Sequence, residues 1–554
     1  MKIIVIGSVA AGTSVAAKAR RNTEEAEIVI YEKDTDISYA VCGIPYAIGG
    51  EIEDFDELTP RDAPWFKKRY NVDIHTAHEV LAINHEQKEL TIRNLQTNET
   101  FTDTYDVLVL ATGSTYCTPT LFEGTQYPNV FQIKNIESGK RVADYVTTKQ
   151  AKTALVIGAG SIGLEMAEQL HHLGIDVTVL QRSKHPMSHL DADMAARLEE
   201  EMSRQEIQFY GEETVVELIG SPQLTAVKTS KGRTLTADLF ILATGVQPNV
   251  QLARQAGVAL GATGAIAVNE RLATNLADIY AVGDVAESFH LVTKQPIYRP
   301  LASTANKMGR IAGDVITGGQ LRHRGILGTG IVRFFELTIA QTGLTETQAM
   351  EAGFQVATLY NIKPNKPTYM DGKEMVIKAI ADQATGRFLG AQIIGYEGVD
   401  KRIDVLATAL SFGALAEDLF HLDLAYAPPF STTKDNVHYT GMALDNAVNH
   451  ATPLLTPLAL LERQEQGEVF QIIDTRSKSQ FDKEHLPNAL HIPLAELRTR
   501  SSELDKTLAT VTYCNKGVTG NAAQNVLINQ GFKEVYNLSG GNKNYQAIAK
   551  QKRL

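Results

Sequence analysis

Cys42 is a thiol set for redox chemistry with no local partner. It lies in Ser38-Tyr39-Ala40-Val41-Cys42-Gly43-Ile44-Pro45-Tyr46, followed by Ala47, with no second cysteine nearby in sequence. The chain has 3 cysteines, and the other two, Cys117 and Cys514, are distant in sequence. A redox-active sulfur at position 42 must therefore pair with a species from outside: a small thiol, a persulfide or a peroxide. Attack on an S–S bond requires the thiolate. Three scattered cysteines make neither a disulfide framework nor a zinc site, so no metal is expected, and a reducing, cytoplasmic setting fits.

The elements that must position this thiol repeat. A strand is predicted over 2–6, then the turn Gly7-Ser8-Val9-Ala10-Ala11-Gly12, a helix over 13–21 and a strand over 27–31 ending at Glu32. The order recurs with a strand over 154–157, the turn Gly158-Ala159-Gly160-Ser161-Ile162-Gly163, a helix over 164–173 and a strand over 176–180. Each half later has a strand that ends in the same tripeptide, Ala111-Thr112-Gly113 and Ala243-Thr244-Gly245. The repeat predicts two dinucleotide-binding units.

The second turn has the full GxGxxG spacing, which seats a pyrophosphate on free N–H groups at a helix N-terminus. The first has Val9 at the middle glycine position, but Glu32 follows Gly12 by twenty residues and can accept hydrogen bonds from ribose hydroxyls. A surface carboxylate is the competing reading of Glu32. At the corresponding strand end of the second unit stands Gln181, followed by Arg182, Ser183, Lys184 and His185. A missing carboxylate with nearby cations suits a 2′-phosphate, so NADPH is expected, with NADH as the alternative. A solvated basic loop would read the same way.

Thr274-Asn275-Leu276-Ala277-Asp278-Ile279-Tyr280-Ala281-Val282-Gly283-Asp284-Val285 resembles the second FAD motif of the pyridine nucleotide-disulfide reductase family. Tyr105-Asp106 and Gly245-Val246-Gln247-Pro248-Asn249 match that family too, and the resemblance runs over about 1–445. It implies that Asp284 binds the ribityl chain of FAD. It also implies that Gly7, Ala10, Gly12, Ala111, Thr112, Gly113, Gly245 and Gly283 line cofactor sites.

Ser38-x-x-x-Cys42-Gly43-x-Pro45-Tyr46 resembles the single-cysteine coenzyme A disulfide reductases within that family. The resemblance implies electron flow from NAD(P)H through FAD to Cys42, which alternates between thiolate and a mixed disulfide with coenzyme A. Asp423-Leu424-Ala425-Tyr426-Ala427-Pro428-Pro429-Phe430 resembles the C-terminal motif whose tyrosine reaches the partner subunit's active site, implying a homodimer. Tyr369 takes the place of the other active-site tyrosine, although Thr368-Tyr369-Met370 replaces a Tyr-Tyr-Pro run; a packed aromatic is the competing reading. A tyrosine hydroxyl could protonate the departing coenzyme A thiolate.

Coenzyme A phosphates need cations. Arg20 and Arg21, which match a basic pair of the subgroup, end the first helix with Lys18; Arg61, Lys67, Lys68 and Arg69 form a second cluster. Ser38 completes the candidate substrate site. A solvated helix end competes with this reading of Arg20 and Arg21. The peroxidase relatives carry a His where this chain has Ala10, which disfavours peroxide chemistry. An NAD(P)H oxidase or peroxidase cycling through Cys42 sulfenic acid remains the alternative, as does a sulfur-trafficking redox sensor.

Towards the C-terminus, Ile472-Ile473-Asp474-Thr475-Arg476, His485-Leu486-Pro487-Asn488-Ala489, Tyr513-Cys514-Asn515-Lys516-Gly517 and Leu538-Ser539-Gly540-Gly541 resemble a rhodanese domain in order and spacing. Cys514 would then carry sulfane sulfur, held by loop N–H groups and a helix N-terminus. Thr519 stands where rhodaneses often have Arg, and Lys516 is its candidate substitute; an inactive rhodanese fold competes. Cys117 reads as a packing residue.

The 554 residues, 44% hydrophobic and 21% charged, suit several packed domains. The expected fold is α/β: two Rossmann-like dinucleotide-binding domains, an α+β dimerisation domain and a C-terminal rhodanese-like α/β domain. The expected bounds are 1–115 with 247–320 for FAD, 116–246 for NAD(P)H, 321–449 for dimerisation, 450–459 as linker and 460–554 for the rhodanese-like part. A net charge of −11 argues against nucleic-acid or anionic-membrane partners, and no apolar run is long enough to span a membrane.

Overall fold

The computed structural model describes residues 1–553 and divides into two compact units, 1–184 with 206–326, and 185–205 with 327–554.

The first unit contains two five-stranded parallel sheets. One has the strand order Ile279–Ala281, Val107–Leu110, Lys2–Ile6, Glu27–Tyr31, Asp73–His75. The other runs Gln208–Tyr210, Asp176–Leu180, Thr153–Ile157, Leu239–Leu242, Val130–Phe131. The central strands read KIIVI and TALVI and are buried almost throughout, as parallel strands covered on both faces must be. Ile3 pairs with both Ile28 and Val107, and Ala154 with both Val177 and Leu239, so the two sheets repeat one register.

Each first strand turns into a helix, Ala10–Asn22 and Ser161–His172. Gly7 and Gly158 hold φ of +104° and +109°, and a Cβ on either would lie 2.2 Å from a carbonyl oxygen, Ala111 O or Ala243 O. The strand that ends in Ala-Thr-Gly therefore fixes glycine at both turns.

The second unit holds the antiparallel sheet Gly330–Phe334, Leu337–Gly343, Phe388–Gly395, Glu374–Asp382, Val356–Pro364, backed by the helices Val399–Ser411 and Asn436–Asn449. A second sheet in this unit is parallel, ordered Leu454–Leu455, Val535–Leu538, Thr510–Tyr513, Gln471–Asp474, Leu490–His491.

The helix Ala192–Arg204 lies inside the expected nucleotide-binding segment, but its contacts are with this second unit. The reason is a buried charge cluster. Lys378 Nζ lies 3.0 Å from Asp191, 2.8 Å from Asp193 and 2.8 Å from Glu346. Burial opposes the Lys378 charge, yet Tyr360 and the three carboxylates hold its ammonium well above the ordinary range. Breaking such a buried cluster by removing one partner costs about 3–5 kcal/mol.

The expected linker 450–459 is corrected. Leu454 and Leu455 pair with Asn537 and Leu538, and Thr456 caps the helix Pro457–Glu465 by accepting a hydrogen bond from Ala459 N. Thr-Pro here is a cap followed by proline in the first turn, which is a helix start rather than a hinge.

Candidate active site

Cys42 sits in the short 3-10 turn Val41–Gly43, which runs straight into the helix Ile44–Ile48. Pro45 at the helix start presets its φ. Two glycines let this helix press between the two nucleotide-binding halves. A Cβ on Gly139, in the helix Ile136–Lys149, would lie 2.5 Å from Ile44 Cγ2. A Cβ on Gly49 would lie 1.9 Å from Gln169 Oε1, on the helix Ser161–His172. Tyr46 adds a hydrogen bond from its hydroxyl to Glu165, at 3.3 Å.

The electrostatics at Cys42 are unfavourable to a thiolate in the protein alone. Cys42 is solvent-accessible, yet burial of its surroundings, then Glu165 and Asp284, push its thiol above the ordinary range. Neighbouring Tyr116 is pushed up to about 12, by burial and by Cys42. Burial also raises the Asp284 carboxyl, which the Ser114 hydroxyl, donating at 3.2 Å, partly offsets. Glu165, Tyr116 and Ser114 were not candidates from sequence; Glu165 was visible inside the second turn's helix, but no spacing tied it to position 42.

The two nucleotide turns carry matching donor sets. In the first, Glu32 is buried and its Oε2 accepts from Ser8 N at 2.8 Å and Ser8 Oγ at 2.9 Å. In the second, Gln181 Oε1 accepts from Ala159 N at 3.0 Å, and its Nε2 donates to Ser183 Oγ at 2.7 Å. Gln181 is thus the structural counterpart of Glu32, without the charge. Arg182 and Lys184 are exposed and form no ion pair among the described residues.

Both turns fit a dinucleotide. Neither helix has a side-chain cap, at Val9 or at Gly160, so the first-turn N–H groups remain free to donate to a pyrophosphate. Other helices, such as Ile136–Lys149 and Glu346–Glu351, do carry side-chain caps. No protein atom lies within 4 Å of a Cβ built on Gly160, Gly113 or Gly245, whereas one on Gly12 or Gly163 would lie 1.9 or 2.0 Å from a turn carbonyl. The first three glycines leave room for a close ligand, and the last two allow helix and strand to touch. Ala10 opens its helix, Ala111 and Thr112 close a strand, and Gly283, at φ +74°, packs on Ala11.

The expected basic pair divides. Arg20 is a correction: it is 4% exposed, and its guanidinium donates to five backbone carbonyls, those of Tyr70, Thr23, Glu24, Ala26 and Asn71, at 2.8–3.0 Å. All five of its N–H groups are used, so none is left for a phosphate.

Arg21 instead joins the second basic cluster, with its guanidinium 5.2 Å from the Tyr70 ring centre and a 3.0 Å hydrogen bond to the Tyr70 hydroxyl. Arg61 and Arg69 lie over Trp65, at 5.1 and 5.9 Å. Hydrogen bonding to Arg69, with the charges of Arg21 and Arg61, lowers the Tyr70 hydroxyl. Trp65 and Tyr70 were missed from sequence, although Trp65 and Arg69 stand four residues apart on the helix Ala63–Tyr70 and so share one face. Lys67 is paired to Asp73 at 2.8 Å. Ser38, at φ +51°, donates its N–H to Ser8 O at 3.0 Å and so ties the cysteine loop to the first turn.

In the second unit, Tyr369 and Tyr426 are 74% and 48% exposed, and Phe412 and Phe430 are 83% and 70% exposed. Cys514, by contrast, is buried at the end of the strand Thr510–Tyr513; its Sγ accepts a hydrogen bond from Gly517 N at 3.2 Å, and the helix Val518–Asn529 follows. Lys516 is held by Glu374 at 2.9 Å. Among the described residues no helix is long and apolar enough to cross a membrane.

Comparison with known proteins places this geometry. Residues 1–309 match the pyridine nucleotide-disulphide oxidoreductase family, 329–437 its dimerisation domain and 456–548 the rhodanese-like domain. The NAD(P)H sulfur oxidoreductase (CoA-dependent) of Pyrococcus furiosus is 35% identical over 435 residues, covering 78% of this chain and 97% of the relative. The coenzyme A disulfide reductase of Staphylococcus epidermidis is 33% identical over 441 residues, covering 79% and 99%. The structure of reduced Bacillus anthracis CoADR-RHD matches with a TM-score of 0.95 at 36% identity, covering 99% of this chain and 98% of that one. A NAD-dependent persulfide reductase from A. fulgidus matches with a TM-score of 0.89 at 32% identity, covering 98% and 100%.

Proposed function

This chain belongs to the pyridine nucleotide-disulphide oxidoreductase family, and on that premise we propose that it is an FAD-dependent NAD(P)H reductase of coenzyme A disulfide and coenzyme A persulfide or polysulfide. The observation that carries the reading is the lone Cys42, wedged between two dinucleotide-binding halves with Ala47 in place of a second thiol. Supporting it are relatives whose names include coenzyme A and sulfur over nearly their whole length.

FAD fits the first turn, with Glu32 for its ribose and Asp284 for its ribityl chain; when bound, it supplies two-electron transfer between nicotinamide and sulfur. NADPH fits the second turn, where Gln181 offers an amide instead of a carboxylate and Arg182 and Lys184 offer unpaired cations for a 2′-phosphate. NADH use, which the persulfide reductase relative's name carries, is the second reading.

The chain's own part follows from thiol–disulfide exchange. The Cys42 thiolate attacks one sulfur of the coenzyme A disulfide, forming a mixed disulfide and releasing one coenzyme A thiolate. A tyrosine hydroxyl, Tyr426 or Tyr369 of the partner in a homodimer, gives that thiolate its proton. Arg21, Arg61 and Arg69 hold the phosphates, with Trp65 and Tyr70 as platforms for the adenine. Cys514 carries sulfane sulfur, and the enzyme works in the cytoplasm.

Anaerobic NADPH consumption by the purified holoenzyme, supplied in parallel with coenzyme A disulfide and coenzyme A persulfide, tests this reading. Consumption with either confirms a sulfur reductase, and the faster substrate names its role. NADPH oxidation seen only after air is admitted would establish an oxidase instead.

A further inference from the structure

Thr519 leaves the Cys514 loop without the arginine that would hold an anionic donor, and Lys516 is already tied to Glu374, which Lys543 also holds at 2.6 Å. The edge strand Val356–Pro364 is clamped to the loop before the last helix: Tyr360 N donates to Ser539 Oγ at 2.8 Å, and Ser539 Oγ donates to Thr358 O at 3.3 Å. The same loop wraps the cysteine, because Asn542 N donates to Cys514 O at 2.8 Å and a Cβ on Gly541 would lie 2.3 Å from that oxygen.

Three residues beyond Tyr360, Lys363 is half-buried with its ammonium 3.8 Å from the Tyr439 ring centre, and Lys434 lies over the same ring at 6.0 Å. Lys363 forms no ion pair among the described residues. Burial and then Lys516 hold its ammonium below the ordinary range, while Cys514 pulls it back up and Lys434 lowers it further. Glu374, which holds Lys516 two residues from Cys514, pairs across the sheet with Pro364, next to Lys363, so this partly desolvated, unpaired cation stands beside the Cys514 loop and is set to receive an anion.

We infer that Lys363 and Lys434, from the dimerisation segment, are the anion-binding residues of the Cys514 site and bring it sulfur donors that carry an oxyanion on the leaving side, thiosulfate being the smallest. This rests on the reading of Cys514 as a sulfane-sulfur carrier. In the step itself, the Cys514 thiolate attacks the outer sulfur of thiosulfate. The S–S bond breaks, sulfite leaves with the bonding electron pair, and Cys514 becomes a persulfide; no external oxidant or reductant is consumed. The lysines hold the sulfite end.

The test measures alkylation of Cys514 in the holoenzyme by iodoacetate, an anion, and iodoacetamide, its neutral analogue, resolved by peptide mass spectrometry. The iodoacetate-to-iodoacetamide rate ratio at Cys514 is expected to exceed that of free cysteine by about tenfold, as a nearby cation dictates at low salt. Lys363→Met, which keeps the stem on Tyr439, should remove most of that excess, Lys363→Arg should restore it, and Lys434→Met at its exposed position should lower it by a smaller factor. A wild-type ratio equal to free cysteine, or one unmoved in both Met variants, overturns the inference. The ratio needs no sulfur transfer, so a failed thiosulfate assay alongside an intact ratio would sink the sulfane-carrier reading and not the anion site.

Discussion

Cys42 and Cys514 are built on opposite principles. Cys42 is solvent-accessible and faces Glu165 and Asp284, so the protein by itself keeps it a thiol. Cys514 is buried, accepts an N–H hydrogen bond at Sγ and lies two residues from Lys516. The first site depends on what binds beside it; the second is assembled from the chain. The contrast teaches that one protein can hold two sulfur chemistries apart by placing opposite charges around identical atoms.

Changes at the nucleotide and coenzyme A sites should therefore alter chemistry at Cys42 and leave alkylation of Cys514 alone. The largest such effect is expected from Gln181→Asp combined with Arg182→Ala. It restores a carboxylate beside the second turn and removes a cation, so kcat/KM with NADPH should fall about 100-fold, the size of a lost charge-assisted contact plus a new repulsion. Kinetics with NADPH and NADH in parallel check it, and an unchanged NADPH preference would break the Glu32–Gln181 comparison.

Arg21→Ala comes next. Loss of one phosphate contact should raise KM for coenzyme A disulfide about tenfold with kcat little changed. Arg20→Ala should behave differently, leaving buried carbonyls unpaired and costing about 3 kcal/mol of stability in denaturant unfolding. Equal KM effects from the two would contradict the division drawn between them.

The smallest effect is in pH. Because burial, Glu165 and Asp284 raise the Cys42 thiol, its thiolate fraction at pH 8 lies below that of a free thiol and climbs only as pH rises past the ordinary range. In cofactor-free protein, iodoacetamide should therefore modify Cys42 a few-fold more slowly than free cysteine at pH 8, with the gap closing as pH rises. A rate already at its plateau by pH 8 would show a cation that the structure does not contain.

The legible parts of the molecule were those written in consecutive residues. Gly158-x-Gly160, Glu32 at the end of its strand and Cys42 with Ala47 are local patterns, and the structure puts each at its strand end or turn. What escaped depended on residues far apart in sequence. Arg20 and Arg21 read as one basic pair, but a helix turns adjacent residues by about 100°. One therefore points to the carbonyls of Tyr70 and Asn71, and the other to the Tyr70 ring. The helix Ala192–Arg204 left its expected domain because Lys378, nearly two hundred residues on, receives its carboxylates. Lys363 and Cys514 lie about 150 residues apart, and their segments are joined by the edge strand's clamp to Ser539 and by the Lys516–Glu374 pair.

The central claim is that Cys42 alone carries the reductive exchange. Its most direct test is Cys42→Ser in the FAD-loaded protein, read by anaerobic NADPH-dependent release of coenzyme A from its disulfide and by the flavin absorption spectrum. The account predicts bound flavin and release lowered by at least about a thousandfold, since the serine hydroxyl is not ionised at neutral pH and forms no mixed disulfide. Release at a rate near that of the wild type, with flavin bound, would contradict it.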